Sequence, residues 1–284
     1  MKAAVNSRNE IVQRIQALPP MPHTLMRVWQ VIDDPDSDNR TLATAVSADP
    51  ALVASLLKLA NSASYGRART ITTVSEAITL MGYNVIKRIC MALVAKVGLL
   101  APEKEGRRFD RMPFWRHCVG TALAAESLGE MLRLPNCEIA FSHGLLHDIG
   151  VLAMDRCLPD ELDEVLVTRD RNDGNFMELE QVFVGMRHTD LGAALADHWK
   201  LPNSLRDVIQ FHPRPRREKG REMEVLIHVA CTLTDRQEYC MCCTDPKHEF
   251  DQSRQFLNLS GVQLNRARDH VMSRIVEIAQ AFEV

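Results

Sequence analysis

The chain has 284 residues, enough for one large domain or two modest ones, each with a core of its own. Its 34 Lys and Arg against 37 Asp and Glu give a formal net charge of -3. With a pI of about 6.4, bulk charge offers no case for nucleic acid or an anionic membrane as a partner. The apolar stretch 89–100 is short of the roughly 18 uncharged residues of a membrane span and carries Lys96. Met1-Lys2-Ala3-Ala4-Val5-Asn6 lacks the long apolar core of a signal peptide, so cytoplasmic residence is expected.

Apolar residues recur at spacings of three and four almost everywhere, and runs of strict alternation are hard to find, so the sequence reads as all-α. Short helices punctuated by Pro and Gly are predicted over 10–18, 23–32, 41–47 and 51–61. Thr73-Val74-Ser75-Glu76 has capping-box spacing and opens a helix that Gly82 closes before the next, over 84–98. The polar run Ala101-Pro102-Glu103-Lys104-Glu105-Gly106 marks a boundary between an N-terminal helical lobe, 1–105, and a second helical lobe, 106–284. Within the latter, helices are predicted over 113–132, 137–147, 159–170, 189–199 and 204–211. A solvated loop at 213–221 precedes two or more further helices, over 222–239 and 261–282.

Eight cysteines, five of them in apolar helical text, read as reduced buried thiols and not as a disulfide framework. Cys240-Met241-Cys242-Cys243 with His248 nearby lacks the second Cys pair of the common structural zinc sites and reads as a group of exposed thiols. The adjacent pair His147-Asp148 is more informative. His143 lies one turn before it, His117 upstream, and His188 and His212 downstream. Imidazole nitrogen and carboxylate oxygen together suit borderline divalent ions, provided the ligands sit on rigid elements. The competing reading is a buried polar cluster satisfied by internal hydrogen bonds and water. His143 and His228 read as solitary core histidines, and Asp190 and Asp197 as surface acids. No Ser-His-Asp triad, Walker loop or dinucleotide glycine fingerprint is evident, and no organic cofactor is expected.

Two sets of motifs carry a resemblance. Leu18-Pro19-Pro20-Met21-Pro22, Asp49-Pro50, Lys58-Leu59-Ala60-Asn61-Ser62-Ala63 with Tyr65-Gly66, and Ala77-Ile78 with Leu80 and Gly82 resemble the N-terminal half of an HDOD domain. Trp115-Arg116-His117, Gly144-Leu145-Leu146-His147-Asp148-Ile149-Gly150, His188 with Gly192, and Trp199-Lys200-Leu201-Pro202 with His212 resemble its other half. HDOD domains are all-helical relatives of the HD phosphohydrolases and of the HD-GYP phosphodiesterases. The resemblance therefore implies an N-terminal helical lobe packed on an HD-type lobe, and a role in bacterial signal transduction.

Carried over by position, His117 matches the first metal-ligand histidine, His147 and Asp148 the eponymous pair, and His188 and His212 later histidines of the HD-GYP pattern. The implied ion is divalent Fe, Mn, Ni or Zn. Four departures stand against this retention. Val151 occupies the place of a phosphate-facing lysine, and Cys231, after Val225-Leu226-Ile227-His228-Val229-Ala230, the place of a final aspartate ligand. No Gly-Tyr-Pro follows His212, and Pro213 replaces a second histidine. A thiolate at 231 is able to ligate metal, but a buried neutral thiol is the reading adopted. Phosphoryl transfer depends on positioning and charge stabilisation, so these losses favour a non-catalytic module that signals to an unidentified protein partner. The alternative is a metal-dependent phosphohydrolase acting on a nucleotide or cyclic dinucleotide.

Overall fold

The computed structural model describes residues 7–18, 23–34, 36–61, 70–99, 107–135, 137–172, 174–234 and 246–280. All regular structure among them is helical, as the sequence periodicity requires. No helix among the described residues is long and apolar enough to cross a membrane. Four sequence expectations lie outside them: Pro19 to Pro22 of the first motif, the segment 62–66, the boundary run 101–106, and Cys240, Cys242 and Cys243. The chain divides into two compact units, Met1–Pro20 with Pro102–Met272, and Met21–Ala101 with Ser273–Val284.

Helix α1 (Arg8–Gln16) belongs to the first unit, and its start is held by a capping box in which Ser7 and Glu10 satisfy each other's backbone N–H groups. The second unit contains α2 (His23–Asp33), α3 (Asn39–Ser47), α4 (Pro50–Ala60), α5 (Val74–Met81) and α6 (Tyr83–Leu99). The Asp38 carboxylate accepts the Thr41 N–H at 2.8 Å to open α3, and the Thr73 hydroxyl accepts the Glu76 N–H at 3.1 Å to open α5. Glu76 reaches back to the N–H of Thr72, one residue outside a strict capping box. Gly82 ends α5 at φ 91°, a backbone conformation that side chains disfavour. Val28, Leu42, Val46, Leu56, Ile78 and Ile86 are buried where α3 and α6 pack on their neighbours. Asn61, from the first motif, clamps the backbone of Ile71, donating to its carbonyl at 2.8 Å and accepting its N–H at 2.7 Å.

The first unit continues with α7 (Arg111–Leu132), a 3-10 turn (Cys137–Ile139), α8 (Ala140–Leu146), α9 (Ile149–Cys157), α10 (Pro159–Asn172) and α11 (Phe176–Phe183). Then come α12 (His188–His198), α13 (Asn203–Phe211), α14 (Glu222–Thr234), α15 (Pro246–Phe256) and α16 (Gly261–Gln280), of which the residues to Met272 count with this unit. Helix α7 is buried from Phe114 to Gly129 apart from Arg116, Glu126 and Ser127. Its small residues set the spacing. A Cβ on Gly144 would lie 2.7 Å from the Ala122 Cα, so α8 crosses α7 at backbone contact. Gly129 faces Cys137 and Ala140 while His147 reaches His117, so the two helices run antiparallel. Helix α14 is also antiparallel to α7: Leu226 lies beside Gly129, and Cys231 and Thr234 lie beside His117.

Several elements differ from the sequence expectation. Helix α9, absent from the predicted helices, begins at Ile149 with only His147 and Asp148 between it and α8. Helix α11, which the sequence reading leaves as loop, starts where the Asn175 side chain accepts the Glu178 N–H. The stretch 213–221, read as a solvated loop, is pinned. Arg216 stacks 3.8 Å over the Phe211 ring and pairs with Asp207 at 2.9 Å and the buried Glu224 at 2.5 Å, while Arg221 also pairs with Asp207.

Candidate metal centre

The five candidate ligands come from five places in one unit. His117 lies in the first third of α7, His147 follows α8, Asp148 precedes α9, His188 opens α12, and His212 follows α13. None is more than 1 % exposed. Asp148 is the hub. Its Oδ2 lies 3.2 Å from the Nε2 of His147 and 3.6 Å from that of His117. Its Oδ1 lies 3.1 Å from the Nε2 of His212 and 3.6 Å from that of His188. One carboxylate thus faces two histidine pairs, one on each oxygen.

Glycine makes this convergence geometrically accessible. Gly150, two residues after Asp148, would carry a Cβ only 1.8 Å from the carbonyl oxygen of His188 and 2.7 Å from the N of Gly192. Helices α9 and α12 therefore meet at their backbones, and that contact brings His188 to Asp148.

The other ring nitrogens decide where the protons are. The His147 Nδ1 donates to the Gly144 carbonyl at 2.7 Å, and the His212 Nδ1 to the Ile209 carbonyl at 3.0 Å. A carbonyl only accepts, so each of these Nδ1 atoms carries a proton, and in the neutral ring Nε2 is the acceptor. The His188 Nδ1 donates to Glu180, 2.9 and 3.0 Å from its two oxygens, and Glu180 also accepts the His188 N–H at 3.1 Å. The His117 Nδ1 meets the Thr234 hydroxyl at 3.4 Å, and that hydroxyl donates to the Cys231 carbonyl at 2.9 Å. Imidazoles held from behind by a carboxylate or carbonyl, with the far nitrogen aimed inward, are the usual surroundings of metal-binding histidines.

Charge gives the same answer. Burial is the main reason His212 is drawn down to about 4, against the pull of Asp148, so near neutral pH it has no second proton to give. Its Nε2 lies 3.1 Å from Asp148 Oδ1. An ionised carboxylate thus faces a neutral nitrogen acceptor inside a dry site, an arrangement that a cation between them relieves. The residues present fit a divalent ion, and two groups of three have ligand atoms close enough to share one: His147, Asp148 and His212, and His117, His147 and Cys231.

The remaining expectations resolve as follows. His143 is buried but turned away, donating to the Ile139 carbonyl at 3.0 Å and meeting the Ser204 hydroxyl at 3.3 Å. His228 donates to the His212 carbonyl at 2.8 Å and so steadies a candidate ligand from behind. Asp197 is an exposed acid paired with Arg206. Val151 is fully buried. Sequence reasoning missed Glu180, whose acid in the Asn175-to-Phe183 segment looks like one of many surface charges. Its signal was available only in retrospect, as an N-capped segment placing an acid eight residues before a histidine.

A family model for the HDOD domain matches residues 18–215. An uncharacterized protein of Treponema pallidum (strain Nichols) is 28% identical over 207 residues, covering 71% of this chain and 39% of that protein, so the chain spans well under half of that relative's length. Among solved structures, an HDOD domain protein of Geobacter sulfurreducens is 23% identical with a TM-score of 0.76, covering 97% of this chain and 98% of that one. A proposed signal transduction protein of Marinobacter aquaeolei VT8 is 19% identical with a TM-score of 0.81, covering 97% of this chain and 65% of its own. A proposed phosphohydrolase of Shewanella amazonensis SB2B is 22% identical with a TM-score of 0.72, covering 95% and 97%. At these identities the likeness to the solved structures is one of fold.

Proposed function

The chain belongs to the HDOD domain family, and from that premise we propose that it is a signalling module that holds a divalent transition metal, Fe, Mn, Ni or Zn, and acts through contacts with a partner protein, not by turnover. His117, His147, Asp148, His188 and His212 would hold the ion. The observation that carries the reading is closure: a cluster built to accept a cation has no residue more than 1 % exposed, whereas a phosphoester must reach the ion to be cleaved. A bound ion supplies Lewis-acid chemistry and activates water when a substrate has access to it. In this chain the ligands instead tie together α7, α8, α9, α12 and α13, so the ion's binding energy goes into fixing their packing. Val151 adds to the argument, since the side chain after Gly150 is buried and apolar where a phosphate would need a cation.

The second reading is a metal-dependent phosphohydrolase, in which the same histidines, held from behind at Nδ1, would ligate the ion. A single experiment separates the two. Untagged protein is analysed for metal and then assayed with cyclic dinucleotides, nucleotides and generic phosphoesters in the presence of Mn, Fe or Mg. Bound transition metal, removed by the His147→Ala/Asp148→Ala double change, with turnover at background, is the expected result. Robust turnover lost in that double variant would establish the phosphohydrolase, and absence of metal under reducing, metal-replete conditions would refute both.

A further inference from the structure

The two candidate ligand groups share His147, whose Nε2 can bind one ion only. They therefore do not describe two separate sites. Asp148 sorts them, because Oδ2 faces His117 and His147 while Oδ1 faces His188 and His212. On the Oδ2 side there is a further donor atom. The Cys231 Sγ lies 3.6 Å from the His117 Nε2, is 1 % exposed, and falls within the ligand group formed with His117 and His147.

The donor-to-donor distances match those of a coordination shell as well as those of hydrogen-bonded contact. Bonds of about 2.05 Å to imidazole nitrogen and about 2.3 Å to thiolate sulfur give a tetrahedron with N···N edges of roughly 3.3 Å and N···S edges of roughly 3.6 Å. The His117 and His147 Nε2 atoms are 3.2 Å apart, and the His117 Nε2 is 3.6 Å from Cys231 Sγ. The remaining nitrogen-to-oxygen edges, 3.2 and 3.6 Å to Asp148 Oδ2, lie in the same range. Helix α14 supports this placement. One turn of it supplies both the sulfur and, through Thr234, the hydroxyl that accepts from the back of His117, and Thr234 is tied in turn to the Cys231 carbonyl and to Thr121.

We infer that Cys231 is a thiolate ligand, adding a sulfur donor beside His117, His147 and Asp148 on the Oδ2 side of the site, for a borderline ion such as Zn²⁺, Fe²⁺ or Co²⁺. The inference rests on the metal-binding reading above and adds to it the donor and the selectivity. Metal binding replaces the proton of the thiol, which leaves to bulk water as the sulfur lone pair bonds the ion. A sulfur donor disfavours the hard ions Mg²⁺ and Mn²⁺, which prefer oxygen ligands.

The test is cobalt substitution of the full-length protein, read by absorption. The parent should bind Co²⁺ and show a thiolate-to-cobalt charge-transfer band in the near ultraviolet. Cys231→Ser should lose that band and keep the weaker visible cobalt bands. Cys231→Asp should rescue affinity without the band and shift preference towards Mn²⁺. The unfolding profile of each variant without metal shows whether its fold is intact, and Cys231→Ala serves as a second variant that should also lose the band should Cys231→Ser fail to fold. Cobalt bound with no charge-transfer band, or with a band that persists in Cys231→Ser, overturns the thiolate assignment while leaving the metal-binding reading standing. No cobalt bound at all overturns both.

Discussion

Replacing Gly150 by Ala tests the geometry on which the whole centre depends. The added methyl carbon would lie 1.8 Å from the His188 carbonyl oxygen and 2.7 Å from the Gly192 N, both backbone atoms. A comfortable carbon-to-oxygen contact is about 3.3 Å, so α9 and α12 must separate locally by about 1.5 Å. No side chain can rotate away to absorb this. Overpacking costs about 1–3 kcal/mol where neighbours can adjust, and a backbone clash belongs at the upper end or beyond. The higher helix propensity of Ala returns up to about 1 kcal/mol, leaving a net loss of about 2 kcal/mol or more. For a chain of this size that lowers the Tm by about 4–8 °C. The same separation moves His188 away from Asp148, which it now faces at 3.6 Å, so metal affinity should fall as well. Thermal unfolding by circular dichroism, with metal content measured on the same sample, checks both effects. Gly261→Ala is the control: its Cβ meets nothing within 4 Å, and it should be neutral or slightly stabilising. A Gly150→Ala protein as stable as the parent, with its full metal content, would refute the close-approach argument.

Two further outcomes follow from the buried polar groups. Removing the carboxylate in Glu180→Ala frees the back of His188 and should weaken metal binding by about 10–100-fold, with Glu180→Gln falling between it and the parent; competition with a chelating indicator measures this, and equal affinity in all three would exclude a positioning role. Burial holds His143 at about 4, below the ordinary value of 6.5, against the smaller opposing effect of its bond to Ile139. Between those two values the unfolded chain takes up a proton that the fold refuses, so this histidine's contribution is intact above 6.5 and is lost as the pH falls to about 4, about 3 kcal/mol in all. Denaturant unfolding across that window should show a shallower acid slope in His143→Gln than in the parent, and identical slopes would assign the acid sensitivity elsewhere.

The sequence by itself determined the all-α class, because three- and four-residue apolar spacing leaves no other way to bury these side chains. It also determined where α5 starts and ends, since Thr73 and Gly82 act through neighbouring backbone atoms and need no distant partner. The residues His117, His147, Asp148, His188 and His212 stood out for their chemistry and order. What only the tertiary structure decided is which atoms face one another. No helix is predicted between 147 and 159, yet in the fold Ile149 begins α9 and Gly150 admits the backbone of α12. Glu180 is one acid among many until α11 turns it onto His188. Cys231 is a buried thiol by composition, and only the antiparallel packing of α14 on α7 puts its sulfur 3.6 Å from a histidine 114 residues away. The physical reason is the same in each case: helix periodicity and capping are local and legible in sequence, whereas convergence on one carboxylate depends on interhelical distances set by small residues far apart in the chain.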